Sequence, residues 1–216
     1  MTFAGRGRPL DKKMKRIHFF SGLLLSIFVG LHLFNHLLSI LGVAYHIGFM
    51  DNLRLVYRNP AVELLLLLSV GVQIVTGANL FSSKRKTASS LFERVQIWTG
   101  LYLAIFLLIH VGAVLTGRYL WQLDTNFYFG AAGLNSFPLN LFFIPYYGCA
   151  VVSFFGHIAS IHHQKMKREV WGISVKSQAR VIMLMGVLSF VVILYGMTNG
   201  FLGVPIPETY NVIIGK

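Results

Sequence analysis

Five stretches of the chain are almost entirely apolar, and each is long enough to cross a lipid bilayer. They cover residues 17–41, 61–81, 96–117, 139–161 and 180–203. A helix rises about 1.5 Å per residue, so about 20 apolar residues span the hydrocarbon core of a membrane. The pattern therefore predicts an all-α fold, an integral membrane bundle of five transmembrane helices.

Polar residues interrupt the first four runs, each time on one side of the predicted helix. In the first run, His32, Asn35, His36 and Ser39 are spaced i, i+3, i+4, i+7 and so share a face. The next three runs carry the stripes Ser69, Gln73 and Thr76; Gln96, Thr99 and His110; and Ser153, His157, Ser160 and Gln164. Polar groups at this depth usually face a bundle interior. We expect four helices around a buried site, with the fifth outside it.

The positions of the histidines along their helices divide them into two layers. Counted from the predicted inner ends, His32 and His110 lie about 22 Å deep and His36 lies about 28 Å deep. His157 lies only about 6 Å from its inner end, and Gln73 about 12 Å from its own. We therefore expect an outer layer with three histidines and an inner layer with His157 and Gln73.

Several chemistries are compatible with these histidines. Haem b takes axial imidazoles from two different helices, and the outer layer offers such a pair. A single membrane histidine can instead be an interhelical hydrogen-bonding group. A zinc or iron site without a macrocycle is disfavoured, because the runs contain no HExxH motif and no cluster of carboxylates. Four histidines near the predicted interfaces are expected to be solvated: His18, His46, His162 and His163.

The overall composition agrees with a membrane protein. Of the 216 residues, 55% are hydrophobic and 12% are charged. The single cysteine, Cys149, excludes an internal disulfide and a cysteine-ligated cluster, and we expect it to be a small buried residue.

The net charge of +12 is unevenly distributed along the chain. If the N-terminus lies inside, 15 of the 19 Lys and Arg residues fall in inner segments. This bias predicts an N-in, C-out topology. Because topology accounts for the basic residues, we predict no nucleic-acid partner. The predicted topology divides the chain into a basic cytoplasmic arm at 1–16, a five-helix transmembrane domain at 17–203 and an outer C-terminal tail at 204–216.

The motifs, taken in order, resemble a known family: the five-helix, cytochrome b558-like membrane subunit of succinate dehydrogenase and fumarate reductase. The resemblance covers nearly the whole chain. Its motifs are VGLHLFNHL at 29–37, ELLLLL from 63 and QIVTG at 73–77, QxxTG at 96–100 with His110, then His157 and WGISVKSQ at 171–178. It implies an integral protein of the cell's cytoplasmic (inner) membrane with several spans.

The resemblance also implies roles for individual residues. His36 and His110 become the iron ligands of an outer haem b, with His32 as the reserve candidate. His157 matches an inner haem ligand, but its partner position holds Gln73 where the family has histidine. We therefore expect one haem b, with two only if the inner site forms despite Gln73. Glu63 resembles a carboxylate linked to quinone proton transfer, although a glutamate near a helix start is also stabilised by the helix dipole.

As a member of this family, the chain would transfer electrons between soluble partners and the membrane. The partners are a flavoprotein subunit and an iron–sulfur subunit on the cytoplasmic face, with menaquinone or ubiquinone as the substrate in the lipid. The dicarboxylate chemistry of the tricarboxylic acid cycle would lie on the partners, so the chain would be a subunit without that catalytic site. Two alternatives remain: a haem-free anchor or quinone-binding scaffold joined by histidine hydrogen bonds, and a small transporter with a histidine proton relay.

Overall fold

A computed structural model describes residues 12–215, and this part of the chain is helical without a β-strand. The helices are α1 (Lys12–Leu37, continued by a 3-10 turn at Leu38–Leu41), α2 (Val43–Tyr57), α3 (Pro60–Lys84), α4 (Leu91–Tyr119), α5 (Phe127–Leu134), α6 (Asn140–Lys165), α7 (Val175–Met197) and α8 (Asn211–Ile214).

Five of these helices are long and apolar enough to cross a membrane: α1, α3, α4, α6 and α7. This confirms the all-α class and the number of predicted spans. The helices extend beyond the apolar runs at their polar ends. The first is described from Lys12, inside the predicted basic arm, whose residues 1–11 lie outside the described part. The last ends at Met197 instead of residue 203.

Local sequence signals fix where two of the spans begin. Asn59 caps α3 by accepting a hydrogen bond from Ala61 N, and Pro60 occupies the first helical position, where its missing N–H costs nothing. Ser90 and Glu93 form a reciprocal capping box at the start of α4.

The five long helices form a ring in which each contacts the next along the chain. Helices α1 and α3, α3 and α4, α4 and α6, and α6 and α7 pack as neighbours, and α7 closes the ring against α1 and its 3-10 turn. Within the described residues, no Cα atoms of α1 and α4 approach within 8 Å. These two helices therefore face each other across an interior that is filled by side chains.

One end of the ring carries most of the basic residues and is called the basic end below. Here α1, α4 and α7 begin while α3 and α6 end, as shown by the contacts of His18 with Thr76 and of His162 with Gln178. The other end is called the opposite end, where Glu63 at the start of α3 contacts Arg118 at the end of α4.

Two short helices cover the opposite end. Helix α2 packs against α1 and α3, and α5 packs against α6 and α7. Phe127 and Ala131 of α5 form a buried cluster with Met197 at the end of α7. The C-terminal segment joins this layer through Tyr210, whose hydroxyl contacts Asp124 O and Asn126 Oδ1 at 2.9 Å.

Cys149 is an exception to the expectation from sequence. Its side chain is exposed on the surface of α6, so the prediction of a buried residue is wrong. A thiol behaves as a small apolar group, and such a group is compatible with a lipid-facing surface as well as with a core.

Candidate functional site

Three histidines form a connected group near the opposite end of the ring. His32 and His36 lie one helical turn apart on α1, and their Nε2 atoms are 3.2 Å apart. His46, from α2, places Nε2 at 3.2 Å from His36 Nδ1. The three imidazoles thus form a hydrogen-bonded chain that runs from α1 to α2.

His46 is a component that the sequence interpretation missed. The prediction of a solvated side chain is wrong, because only 2% of His46 is exposed and its ring lies against Phe127 at 5.2 Å between centroids. Burial first, and then the charges of His32 and Arg54, lower the pKa of His46 to about 4. His46 is therefore neutral near pH 7. Its position four residues before Met50, the other buried residue of α2, is the helical spacing that could have revealed it.

Asn35 extends this group. Its Nδ2 lies 3.2 Å from His46 Nε2, the same nitrogen that His36 Nδ1 approaches at 3.2 Å. Asn35 Oδ1 and His46 Nδ1 are buried without a hydrogen-bond partner among the described residues. The group therefore contains polar atoms that its internal contacts do not satisfy.

His110 approaches the group from the other side of the ring. It lies on α4, stacked on Phe106 with 5.0 Å between ring centroids, and its ring centroid is 6.3 Å from that of His32. The structure thus brings together three of the predicted site residues: His32, His36 and His110.

The distance between His32 and His110 suits a metal bound by two imidazoles. Each coordinating nitrogen lies about 2 Å from such a metal, which places the ring centroids about 6 Å apart. Axial ligation of a haem requires only such a pair, on two different helices. Between residues 12 and 215, no group of three or more His, Cys, Asp or Glu side chains is arranged to hold a metal ion. The described residues thus offer one pair of imidazoles on two helices and no larger set of metal ligands.

An apolar cavity lies beside His32 and His36, between α1, α2 and α3. Its volume is about 210 Å³, and its wall includes His32, His36, Phe28, Tyr57 and Thr125. Cofactor sites usually measure about 300–1,000 Å³. A macrocycle bound here therefore requires the surrounding side chains to move apart.

The predicted inner layer has a different arrangement. His157 on α6 contacts Gln96 O through Nδ1 at 3.1 Å, and a Cβ atom at Gly100 would lie 3.1 Å from its Cε1. Gln73 on α3 donates instead to His18 O at 2.6 Å and Ser21 Oγ at 2.7 Å on α1. His157 and Gln73 are thus each tied to a neighbouring helix, and the described contacts do not join them to each other.

The remaining histidines at the basic end also differ from the expectation of solvated side chains. His18 Nδ1 lies 2.7 Å from Thr76 Oγ1, and His162 Nε2 lies 2.8 Å from Gln178 Oε1. His163 stacks on Phe92 with 3.9 Å between ring centroids. Each is half-buried and links two helices, because a helix end at a bundle interface offers partners as well as solvent.

Glu63 lies at the start of α3 and is paired with Arg118 of α4. Arg118 Nη1 contacts Glu63 Oε1 at 2.5 Å, and Nη2 reaches Oε2 at 3.4 Å. Both side chains are 20% exposed. The predicted carboxylate is therefore in a bidentate ion pair that connects two helices near the edge of the histidine site.

A second charged group lies on the same end of the molecule. Arg54 Nη2 contacts Asp124 Oδ1 at 2.6 Å, and Arg58 Nη2 lies 3.7 Å from the same oxygen. No pattern in the sequence indicates this group, because about 70 residues separate the partners and both lie in segments between predicted spans.

Comparison with models of known protein families, with characterised proteins and with solved structures finds no match for this chain.

Proposed function

We propose that the chain is the membrane-anchor cytochrome b subunit of a succinate:quinone oxidoreductase, with a haem b between α1 and α4. The observation that carries this proposal is the facing pair His32 and His110, with ring centroids 6.3 Å apart on two helices whose backbones are not in contact. The family assignment itself rests on the resemblance of the sequence motifs.

In this proposal, each residue of the site has a defined task. His110 and His32 would hold the haem iron, because His32 is the α1 histidine whose ring contacts that of His110. His36, the residue that the sequence resemblance favours, is the alternative ligand, because it lies one turn from His32 in the same group. A bound haem supplies a one-electron carrier within the membrane.

The proposal places the chain in the cytoplasmic membrane, N-in and C-out, with its basic end toward the cytoplasm. The flavoprotein and iron–sulfur subunits dock there, because α3, α6 and the adjoining loops carry exposed basic residues at this end. A quinone takes up or releases electrons in the membrane, with Glu63 as a proton-transfer group.

A haem-free anchor is the second candidate, and one observation favours it. Contacts at 3.2 Å between ring nitrogens already link His32 to His36 within α1 and His36 to His46 of α2. A bundle can use such bonds as interhelical connections without a cofactor.

The optical spectrum of the purified chain, with its haem-to-protein ratio, tests the proposal. We expect one low-spin haem b per chain. A ratio of zero would favour the haem-free anchor, and a ratio of two would show that an inner site forms despite Gln73. If haem is present, succinate-linked quinone reduction in the native complex tests the family assignment.

A further inference from the structure

The loop between α6 and α7 contains a tight turn at the basic end of the ring. Val170 and Ile173 exchange backbone hydrogen bonds, of 3.3 Å from Val170 N and 2.9 Å from Ile173 N. The two residues between them, Trp171 and Gly172, have φ angles of 51° and 72°. Positive φ at both central residues is typical of a type I′ turn, for which Asn-Gly is a preferred pair. The chain instead has a tryptophan in the first of these positions.

The Trp171 side chain packs on almost nothing in the described part of the chain. It is 95% exposed, the largest value among the exposed large apolar side chains of residues 12–215. Phe201 also has a positive φ, but its ring packs on Tyr195 with 5.6 Å between centroids. A bulky side chain at positive φ is unfavourable. At Trp171, packing within the described residues does not offset this cost, so the side chain serves a contact outside them.

The turn is fixed to both adjoining helices. Gln178, in the first turn of α7, donates through Nε2 to Ile173 O at 2.8 Å. Its Oε1 lies 2.8 Å from Nε2 of His162, near the end of α6. Trp171 therefore projects from an anchored backbone, and a partner that covers it orders little more than the side chain itself.

The surroundings of the turn are strongly basic. Between residues 164 and 180, Glu169 is the single acidic residue, and five basic residues are exposed: Lys165, Lys167, Arg168, Lys176 and Arg180. An apolar side chain within a positive surface is complementary to an apolar pocket that carboxylates surround.

The turn lies outside the apolar part of a membrane. Arg180 is exposed on α7, and a charged side chain marks the level at which a helix leaves the hydrocarbon core. Val175, where α7 begins, lies about 7.5 Å further along the helix axis. The headgroup layer on each side of a bilayer is about 5–8 Å thick. The turn precedes Val175 and is thus near the outer limit of the headgroups, where a soluble protein can reach it.

We propose that Trp171 is the apolar anchor through which the soluble flavoprotein–iron–sulfur pair docks on the basic end. The inference rests on the proposed function and adds the chemistry of the receiving site, an apolar pocket with carboxylates around it. Tryptophan is one of the residue types that contribute most to binding at protein interfaces. The competing explanation is a tryptophan in the interfacial belt of the membrane, which the test must separate.

The test measures binding of the separately purified flavoprotein–iron–sulfur pair to the full-length chain in lipid nanodiscs. We expect Trp171→Asn to raise the dissociation constant about 30-fold, as for an interface hot spot. Its unfolding temperature should stay the same or rise, because Asn-Gly suits the turn. Trp171→Phe should retain part of the affinity.

Trp121→Asn is the matched control, because Trp121 is an exposed tryptophan at the opposite end. It should leave the dissociation constant unchanged. An unchanged dissociation constant in Trp171→Asn would overturn the inference, and so would a lower unfolding temperature, which would show a structural role. Quenching of Trp171 fluorescence by lipids brominated in their acyl chains would place the side chain in the membrane and would also overturn it. This quenching is measured with the pair bound, as the difference between the wild type and Trp171→Phe.

The two proposals fail differently in these measurements. A wild-type chain that does not bind the flavoprotein–iron–sulfur pair contradicts the proposed function. A pair that binds the wild type and Trp171→Asn with equal affinity contradicts only the role of Trp171.

Discussion

At the scale of single residues, His110 is the side chain on which the proposed haem depends most. It contacts the histidine group only through its ring, and the described structure gives it no hydrogen bond, so its nitrogens are available to a metal. His110→Ala should abolish the low-spin spectrum, and His32→Ala should do the same. His157→Ala is the control and should leave the spectrum largely intact, because His157 is bonded to Gln96 O in the other layer.

The same spectra decide between the two histidines of α1. The ring distance to His110 favours His32, so His36→Ala should retain a low-spin haem with weaker binding. Loss of the haem in His36→Ala together with its retention in His32→Ala would instead identify His36 as the ligand, as the sequence interpretation expects.

His46 should act through His36 and not on the haem itself. His46→Ala removes the contact with His36 Nδ1, and His36 Nε2 in turn contacts His32, the proposed ligand. Loss of a hydrogen bond made by the ligand itself typically weakens metal binding about 10- to 100-fold, so the more distant His46 should have an effect at the lower end of that range. We expect haem binding to weaken and the reduction potential to shift, as measured by titration and redox potentiometry. Tyr45→Ala, at an exposed neighbouring position, should change neither property. An unchanged potential in His46→Ala would exclude the proposed support of His36.

Sequence and structure agree for those residues of the site whose positions follow from helix geometry. A rise of about 1.5 Å per residue is enough to place His32, His36 and His110 in one layer. His46 could not be placed in this way, because its position depends on how α2 folds back onto α1 after the turn at Gly42, which has φ 114°. Such a turn between helices has no periodicity that would predict its direction.

At the scale of helices, the contact between α7 and the end of α1 depends on Gly196. A Cβ atom there would collide with Ser39 Oγ and Ile40 N, at the point where the ring of helices closes. Gly196→Ala should therefore destabilise the protein by about 1–3 kcal/mol, measured as a lower thermal unfolding temperature in detergent.

Gly71 provides the matched control for this substitution. It lies inside α3 and is exposed, and among the described residues no neighbouring atom lies within 4 Å of the position that a Cβ atom would occupy. Gly71→Ala should be neutral or stabilise by up to about 1 kcal/mol, because alanine is the better helix former. Equal stability of the two variants would contradict the close α7–α1 contact.

The pair of Glu63 and Arg118 joins α3 to α4, so its role in stability must be separated from proton transfer. If Glu63 transfers protons, Glu63→Gln should lose quinone-linked turnover in the native complex while Arg118→Gln mainly loses stability. Each single variant leaves one charged side chain of the pair without its partner. The double variant Glu63→Gln/Arg118→Gln removes both charges, so it should recover stability without recovering turnover. Recovery of turnover in the double variant would show that Glu63 has only a structural role.

The long helices were predictable because apolar length alone determines them, whereas the short ones were not. Helix α5 has only eight residues, too few for the length argument that predicts the membrane-spanning helices. Its Phe127 is 1% exposed because α7 and the C-terminal segment cover it, and such long-range packing leaves no local pattern. The role of α7 in closing the ring is likewise a property of the assembled bundle.

At the scale of the whole molecule, charge separates the two ends of the bundle. The exposed residues Lys84, Arg85 and Lys86 lie at the end of α3 and directly after it, at the basic end and close in sequence to Arg94. At the opposite end the arginines Arg54 and Arg118 have carboxylate partners. The excess of positive charge at the basic end is the basis on which the positive-inside rule predicts that this end faces the cytoplasm.

This asymmetry predicts where the soluble redox subunits bind. Charge reversal at Lys84, Arg85 and Lys86 should reduce co-purification of the partner subunits, and more salt should weaken the wild-type complex in the same direction. Reversal of the exposed Glu208 to lysine, at the opposite end, is the control and should leave assembly unchanged. Attraction to anionic lipid alone would give the contrary result: membrane insertion would respond to the reversal, and the partner subunits would co-purify as before.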